Sequence, residues 1–130
     1  MEIAREALVQ LTPDPSSLSE GRRFVARTLR DWEVDEAHIE PVTLVANELL
    51  ANAIVHAHSA PVLSLAEAGS DLMLKVADDS TSVPVVRAAV PDDDTGGRGL
   101  MLVEALADQW GCEPSDSGKV VWVTFAGAFG

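Results

Sequence analysis

Val45-Ala46-Asn47-Glu48-Leu49-Leu50-Ala51-Asn52-Ala53-Ile54-Val55-His56-Ala57 is apolar at most helical angles, yet it carries Glu48, Asn52 and His56 four residues apart. At 3.6 residues per turn that spacing stacks the three polar side chains on one stripe, drifting by roughly 40° at each step. Leu44, Val45, Leu49, Leu50, Ala53, Ile54, Val55 and Ala57 fill the remaining angles, and a helix apolar almost all round is an interior element. Polar groups on such a helix require partners: side chains, water, a metal or a ligand. The fold is therefore expected to place this helix centrally and to bring something to its polar stripe.

Outward from that helix, Asp35-Glu36 supplies a cap upstream, and Pro41 is expected to restart or kink the helix, which should run to about His58 and stop at Ser59-Ala60-Pro61. Before it, Asp14 as N-cap and Pro15 at the first helical position open a helix carrying the stripe Leu18, Arg22, Val25, Leu29 and Trp32. Arg22, Arg23, Arg27 and Arg30 form its solvated face or, on the sharper reading, a contact surface for an acidic partner. Residues 2–11 fit a short helix or an edge strand, with the strand preferred. Val62–Ala68 and Asp71–Ala77 read as antiparallel strands joined at Gly69-Ser70. After a long irregular stretch, Asp78 to Thr95, the cluster Gly96-Gly97-Arg98-Gly99 opens an amphipathic helix through Leu100, Met101, Val103, Leu106 and Ala107. Two last strands lie around Trp110–Glu113 and Lys119–Phe125, with Pro114 to Gly118 between them.

The 130 residues fit one domain, 1–130, and the 47% hydrophobic and 23% charged content are those of a globular chain rather than a disordered one. A net charge of −12 opposes long-range attraction to nucleic acid or anionic membranes. No window approaches an 18-residue apolar run, and acids at the N-terminus argue against a signal peptide, so the expected location is cytoplasmic. Cys112, the single cysteine, excludes an internal disulfide and reads as a core filler, while His38 reads as exposed. Trp110 and Trp122 read as core or sheet-face residues.

Three segments in this order and at this separation carry a specific likeness: the polar helix stripe, the acid pair after Val76-Ala77 (Asp78-Asp79), and Gly96-Gly97-Arg98-Gly99 at a helix start. Together they resemble the ATP-binding domain shared by gyrase, a heat-shock chaperone, histidine kinases and the mismatch-repair protein MutL, over about residues 41–126. E-L-L-A-N-A-I-V-H-A (48–57), G-G-R-G-L-M-L-V-E-A-L-A-D-Q-W-G (96–111) and G-K-V-V-W-V (118–123) look more narrowly like the small anti-sigma-factor serine/threonine kinases and their actinobacterial relatives. The resemblance implies an α+β two-layer sandwich of the Bergerat type, its mixed, mostly antiparallel sheet covered by helices on one face.

The same resemblance implies ATP and Mg²⁺ as ligands and assigns roles residue by residue. Glu48 matches the acid that orients or deprotonates the attacking hydroxyl, and Asn52 the amide that holds Mg²⁺. Asp78 matches the acceptor of the adenine amino group, and Gly97, Arg98, Gly99 and Leu100 the turn that grips phosphates. His56 fits the pattern near the helix end and carries no assigned chemistry. The implied activity is phosphoryl transfer to a hydroxyl of an antagonist protein, with a sigma factor and its antagonist as partners and a homodimer as a possible assembly. Each residue also has a plainer reading: Glu48 an arginine-paired acid, Asn52 a satisfied amide, Asp78 a strand-end residue, the glycines a helix-start turn. One departure stands out. Where strongly conforming members carry D-x-G-x-G, this chain has Asp78-Asp79-Ser80-Thr81-Ser82, which favours the alternative of a non-catalytic binding module; slow ATP hydrolysis without a protein acceptor is a third reading.

Overall fold

The structure, a computed structural model, describes residues 2–79, 96–116 and 118–130. The segment after Asp79, with Ser80, Ser82, Arg87 and Asp92–Asp94, lies outside the described residues. Five strands form one sheet in the order β1-β2-β3-β5-β4: β1 (Ile3–Gln10), β2 (Val62–Ala68), β3 (Asp71–Asp78), β4 (Gln109–Ser115) and β5 (Gly118–Phe125). The α+β class holds. The sheet, expected to be mixed, is antiparallel at each of its pairings. Helices α1 (Ser17–Asp31), α2 (Glu36–Ala51) and α3 (Gly96–Leu106) accompany it.

Alternation sets the two faces. On β3, Leu72, Leu74 and Val76 are buried while Met73, Lys75 and Ala77 are half-buried on the opposite face. Leu63 and Leu65 of β2 and Val121, Val123 and Phe125 of β5 extend the buried face, which meets Val25, Leu29, Val42, Val45, Leu49, Leu50 and Ile54 of the helical layer. Each such side chain contributes about 1.5–3 kcal/mol through burial. The β2–β3 hairpin has the predicted register, with Val62 opposite Ala77 and Ala68 opposite Asp71. Gly69 alone of its two turn residues has positive φ, +63°, the pattern of a type II′ turn.

α2 is the central helix: it packs on α1, α3, β3 and β5. That crowding is why its sequence is apolar at so many angles, although Leu44 and Val55 remain exposed. Asp35 caps it by accepting from the Ala37 N–H at 3.0 Å. The helix neither stops nor restarts at Pro41; it runs unbroken from Glu36, because a proline in the second turn removes only one hydrogen bond, to the Ala37 carbonyl. Asp14 does not cap α1. Its carboxylate accepts from Ser16 N–H and its carbonyl from Ser17 N–H, so the helix begins only at Ser17. α1 ends in a Schellman motif, Val34 N–H to Leu29 O and Glu33 N–H to Arg30 O, with Glu33 rather than glycine at φ +56°.

His38, expected to be exposed, is half-buried, with Nε2 donating to Ala126 O at 3.1 Å. The C-terminal residues fold back over the start of α2, where Asp35 N–H also reaches Ala128 O. Cys112 is half-buried rather than a core residue. No helix among the described residues is long and apolar enough to cross a membrane.

Candidate functional site

The C-terminal end of α2 departs from α-helical geometry where the polar stripe passes through it. Asn52–His56 is a π turn, closed by Ala57 N–H to the Asn52 carbonyl at 3.1 Å. An i→i+5 bond means more residues per turn, so Glu48 and Asn52 stack on consecutive turns but the next four-residue step falls short of a full turn. The side chain of His56, the third residue of that stripe, lies outside the described residues. Glu48 and Asn52 are half-buried rather than interior, and neither side chain makes a hydrogen bond within the described residues. Arg22 of α1 binds the neighbouring residue instead, its Nη1 donating to Asn47 Oδ1 at 2.9 Å.

The π turn ends with His58 at φ +53° and Ser59 N–H on Ala53 O at 2.9 Å, one residue wider than the Schellman closure of α1. Ser59 is 1% exposed, and its Oγ accepts the Asp79 N–H at 3.1 Å. This single hydroxyl ties the end of the central helix to the end of β3, bringing Asp78 to the helix that carries Glu48 and Asn52. Asp78 is buried, and Lys119 Nζ, directly opposite on β5, donates to its Oδ1 at 3.2 Å. Gly118 permits the approach: a Cβ there would overlap the Asp78 carbonyl oxygen and lie 2.5 Å from Asp79 Cα.

α3 completes the surroundings by packing on both α2 and the π turn. Gly96, Gly97, Arg98, Gly99 and Leu100 form its first turn rather than a turn ahead of it, and the side chains of Arg98 and Leu100 lie outside the described residues. Trp110 Nε1 donates to Glu104 Oε1 at 2.9 Å, tethering α3 to β4. Ser59 and Lys119 were not singled out from sequence. Ser59 read only as part of a helix stop, and Lys119 sits opposite Asp78 through a pairing of strands that are not consecutive in the chain.

Asn52 carries an amide and Glu48 a carboxylate on adjacent turns, both half-buried and neither hydrogen-bonded among the described residues. Hard oxygen donors of this kind suit Mg²⁺, which takes few protein ligands beside phosphate and water. α3, the helix that packs on the π turn, begins with glycines, and a glycine-rich helix start offers backbone N–H groups suited to phosphate.

The chain is thus an α+β domain with a buried helix–sheet interface, a glycine-rich helix start and a buried acid at the end of β3. The profile of the histidine kinase-like ATPase domain matches residues 11–125, and the chain belongs to that family. Among solved structures it is similar to the RsbU and RsbW domains of Rv1364c from Mycobacterium tuberculosis, with 17% identity and a TM-score of 0.72 over 95% of this chain. The match covers 32% of that longer chain, so this protein spans about a third of it. No curated protein matches the sequence.

Proposed function

We propose that this chain is an ATP-binding regulatory protein of the anti-sigma type, a serine/threonine kinase that transfers the γ-phosphoryl group to a hydroxyl of an antagonist protein. The observation that carries the reading is the family match combined with Glu48 and Asn52, which make no side-chain hydrogen bond among the described residues and lie on a helix that Ser59 ties to the Asp78 strand end. In this reading Glu48 accepts the proton of the attacking hydroxyl, a role that requires only hydrogen-bond reach. Asn52 holds Mg²⁺, which when bound neutralises charge on the phosphates. Asp78 accepts the adenine amino group, and the helix start at Gly97, Arg98, Gly99 and Leu100 faces the phosphates. His56 is the last residue of the π turn that begins at Asn52.

The partners are then a sigma factor and its antagonist. Arg22, Arg23, Arg27 and Arg30 are all exposed on α1 in a chain with only nine lysines and arginines, and they offer an acidic partner its docking face. Residues 1–130 act as one cytoplasmic domain, alone or as a homodimer. The serines at positions 80 and 82 favour a second reading, a module that binds its partner without turnover.

Calorimetric titration with ATP tests both. Saturable binding that strengthens with Mg²⁺ and loses that gain in Asn52→Ala supports the site. Glu48→Ala should keep ATP affinity and lose about 10²- to 10⁴-fold in phosphoryl transfer, the usual worth of a general base. Unchanged turnover in that variant removes Glu48 from the chemistry, and ATP binding without turnover in the native chain leaves the binding module.

A further inference from the structure

The geometry points to Lys119 as a base-reading residue: its ammonium donates to N1 of adenine while Asp78 accepts from N6, so the pair reads both atoms of that edge. This deepens the ATP-binding reading and rests on it.

The argument starts from burial. The side chains of Lys119 and Asp78 are 12% and 3% exposed, and an ammonium taken out of water demands hydrogen-bond acceptors. It has three N–H donors. Among the described residues Lys119 makes one hydrogen bond, to Asp78 Oδ1. The pair is set by register, since the two residues face each other on β3 and β5, and by Gly118, whose missing Cβ lets the strand ends close.

A fixed acceptor beside a fixed donor selects a ligand with the opposite order. Adenine carries a donor at N6 and an acceptor at the adjoining N1. Guanine and hypoxanthine carry an acceptor at O6 and a donor at N1, which would set oxygen against the carboxylate and N–H against the ammonium. Buried polar groups left facing like groups reject a ligand far more strongly than a missing apolar contact does.

The test compares ATP with 1-deaza-ATP, in which N1 is replaced by C–H and the amino group is kept, by calorimetry on the full chain. The native chain should bind 1-deaza-ATP roughly ten- to a hundredfold more weakly than ATP, the worth of a hydrogen bond from a charged donor. Lys119→Met should bind the two equally, and Lys119→Arg, which keeps a donor, should restore a preference. Equal affinity of the native chain for both nucleotides overturns the assignment while leaving ATP binding intact; failure to bind either overturns both. Should Lys119→Met not fold, the native and Lys119→Arg chains carry the comparison.

Discussion

Arg5–Glu67 and Lys119–Asp78 each join residues directly opposite one another on neighbouring antiparallel strands, yet their surroundings differ in kind. Arg5 and Glu67 meet at 2.7 Å with side chains 44% and 19% exposed, and the guanidinium also lies 5.1 Å from the Trp32 ring centroid, 5.8 Å from that of Phe129, and on the Trp32 carbonyl. Its contacts with Trp32 and Phe129 tie β1 to the end of α1 and to the C-terminal residues, and its contact with Glu67 ties it to β2. Lys119 and Asp78 are shielded from water, and the lysine has no aromatic lid and no second acceptor among the described residues. A rim pair costs little to form and contributes little. A buried pair pays desolvation that hydrophobic residues of similar size would avoid, so its presence is better explained by what it recognises than by what it stabilises.

The largest effect should come from breaking the buried pair on one side. Lys119→Met removes the ammonium that faces the buried Asp78 carboxylate and should lower unfolding stability by about 3 kcal/mol, read from the urea midpoint with the slope unchanged. Replacing both members with apolar residues of similar volume should recover most of that loss. A single-variant loss below about 1 kcal/mol would put the pair in the same class as the rim pair and erase the contrast. At the rim, Glu67→Gln keeps an acceptor for Arg5 Nε and removes only charge, so about 0.5 kcal/mol is expected, shrinking with added salt.

The contrast also marks where sequence reading stopped. The β2–β3 hairpin and the last two strands follow from local periodicity and a glycine turn, and the central helix is present where its apolar pattern puts it, but it runs unbroken through Pro41 and gives way to a π turn at Asn52 instead of continuing to His58. The Lys119–Asp78 pair depends on β5 returning beside β3 with β4 outside it, a non-local pairing that no window of sequence contains. The π turn at Asn52 has no compositional signal either; it is fixed by packing of α3 and by the Ser59 closure. Asp14 looked like a cap because aspartate serves helix starts and Asx turns equally, and only the folded chain shows which backbone N–H it takes. Glu48 and Asn52 were legible because polar side chains on an apolar helix call for an explanation, whereas Asp78 joined them only through the resemblance to the ATP-binding family. His38 was not, since its partner is a backbone carbonyl 88 residues away.

Cys112 gives the smallest and most local measure of the buried corner. Burial pushes its thiol above the ordinary value, Asp78 and Glu113 add to that, and Lys119 opposes it. The thiolate is the reactive form, so alkylation of the folded chain near pH 8 should be slower than that of a free thiol and should accelerate only at higher pH. Because the folded state favours the neutral thiol, its contribution to stability is present below the ordinary thiol pKa of about 8.5 and is lost as pH rises through the raised folded value. Lys119→Met removes the one opposing cation, so alkylation should slow further in that variant, whereas Glu67→Gln, at the other side of the sheet, should leave the rate unchanged. A faster reaction in Lys119→Met would mean that losing the ammonium opens the strand ends to solvent, and the corner would then owe its closure to the ion pair rather than to Gly118.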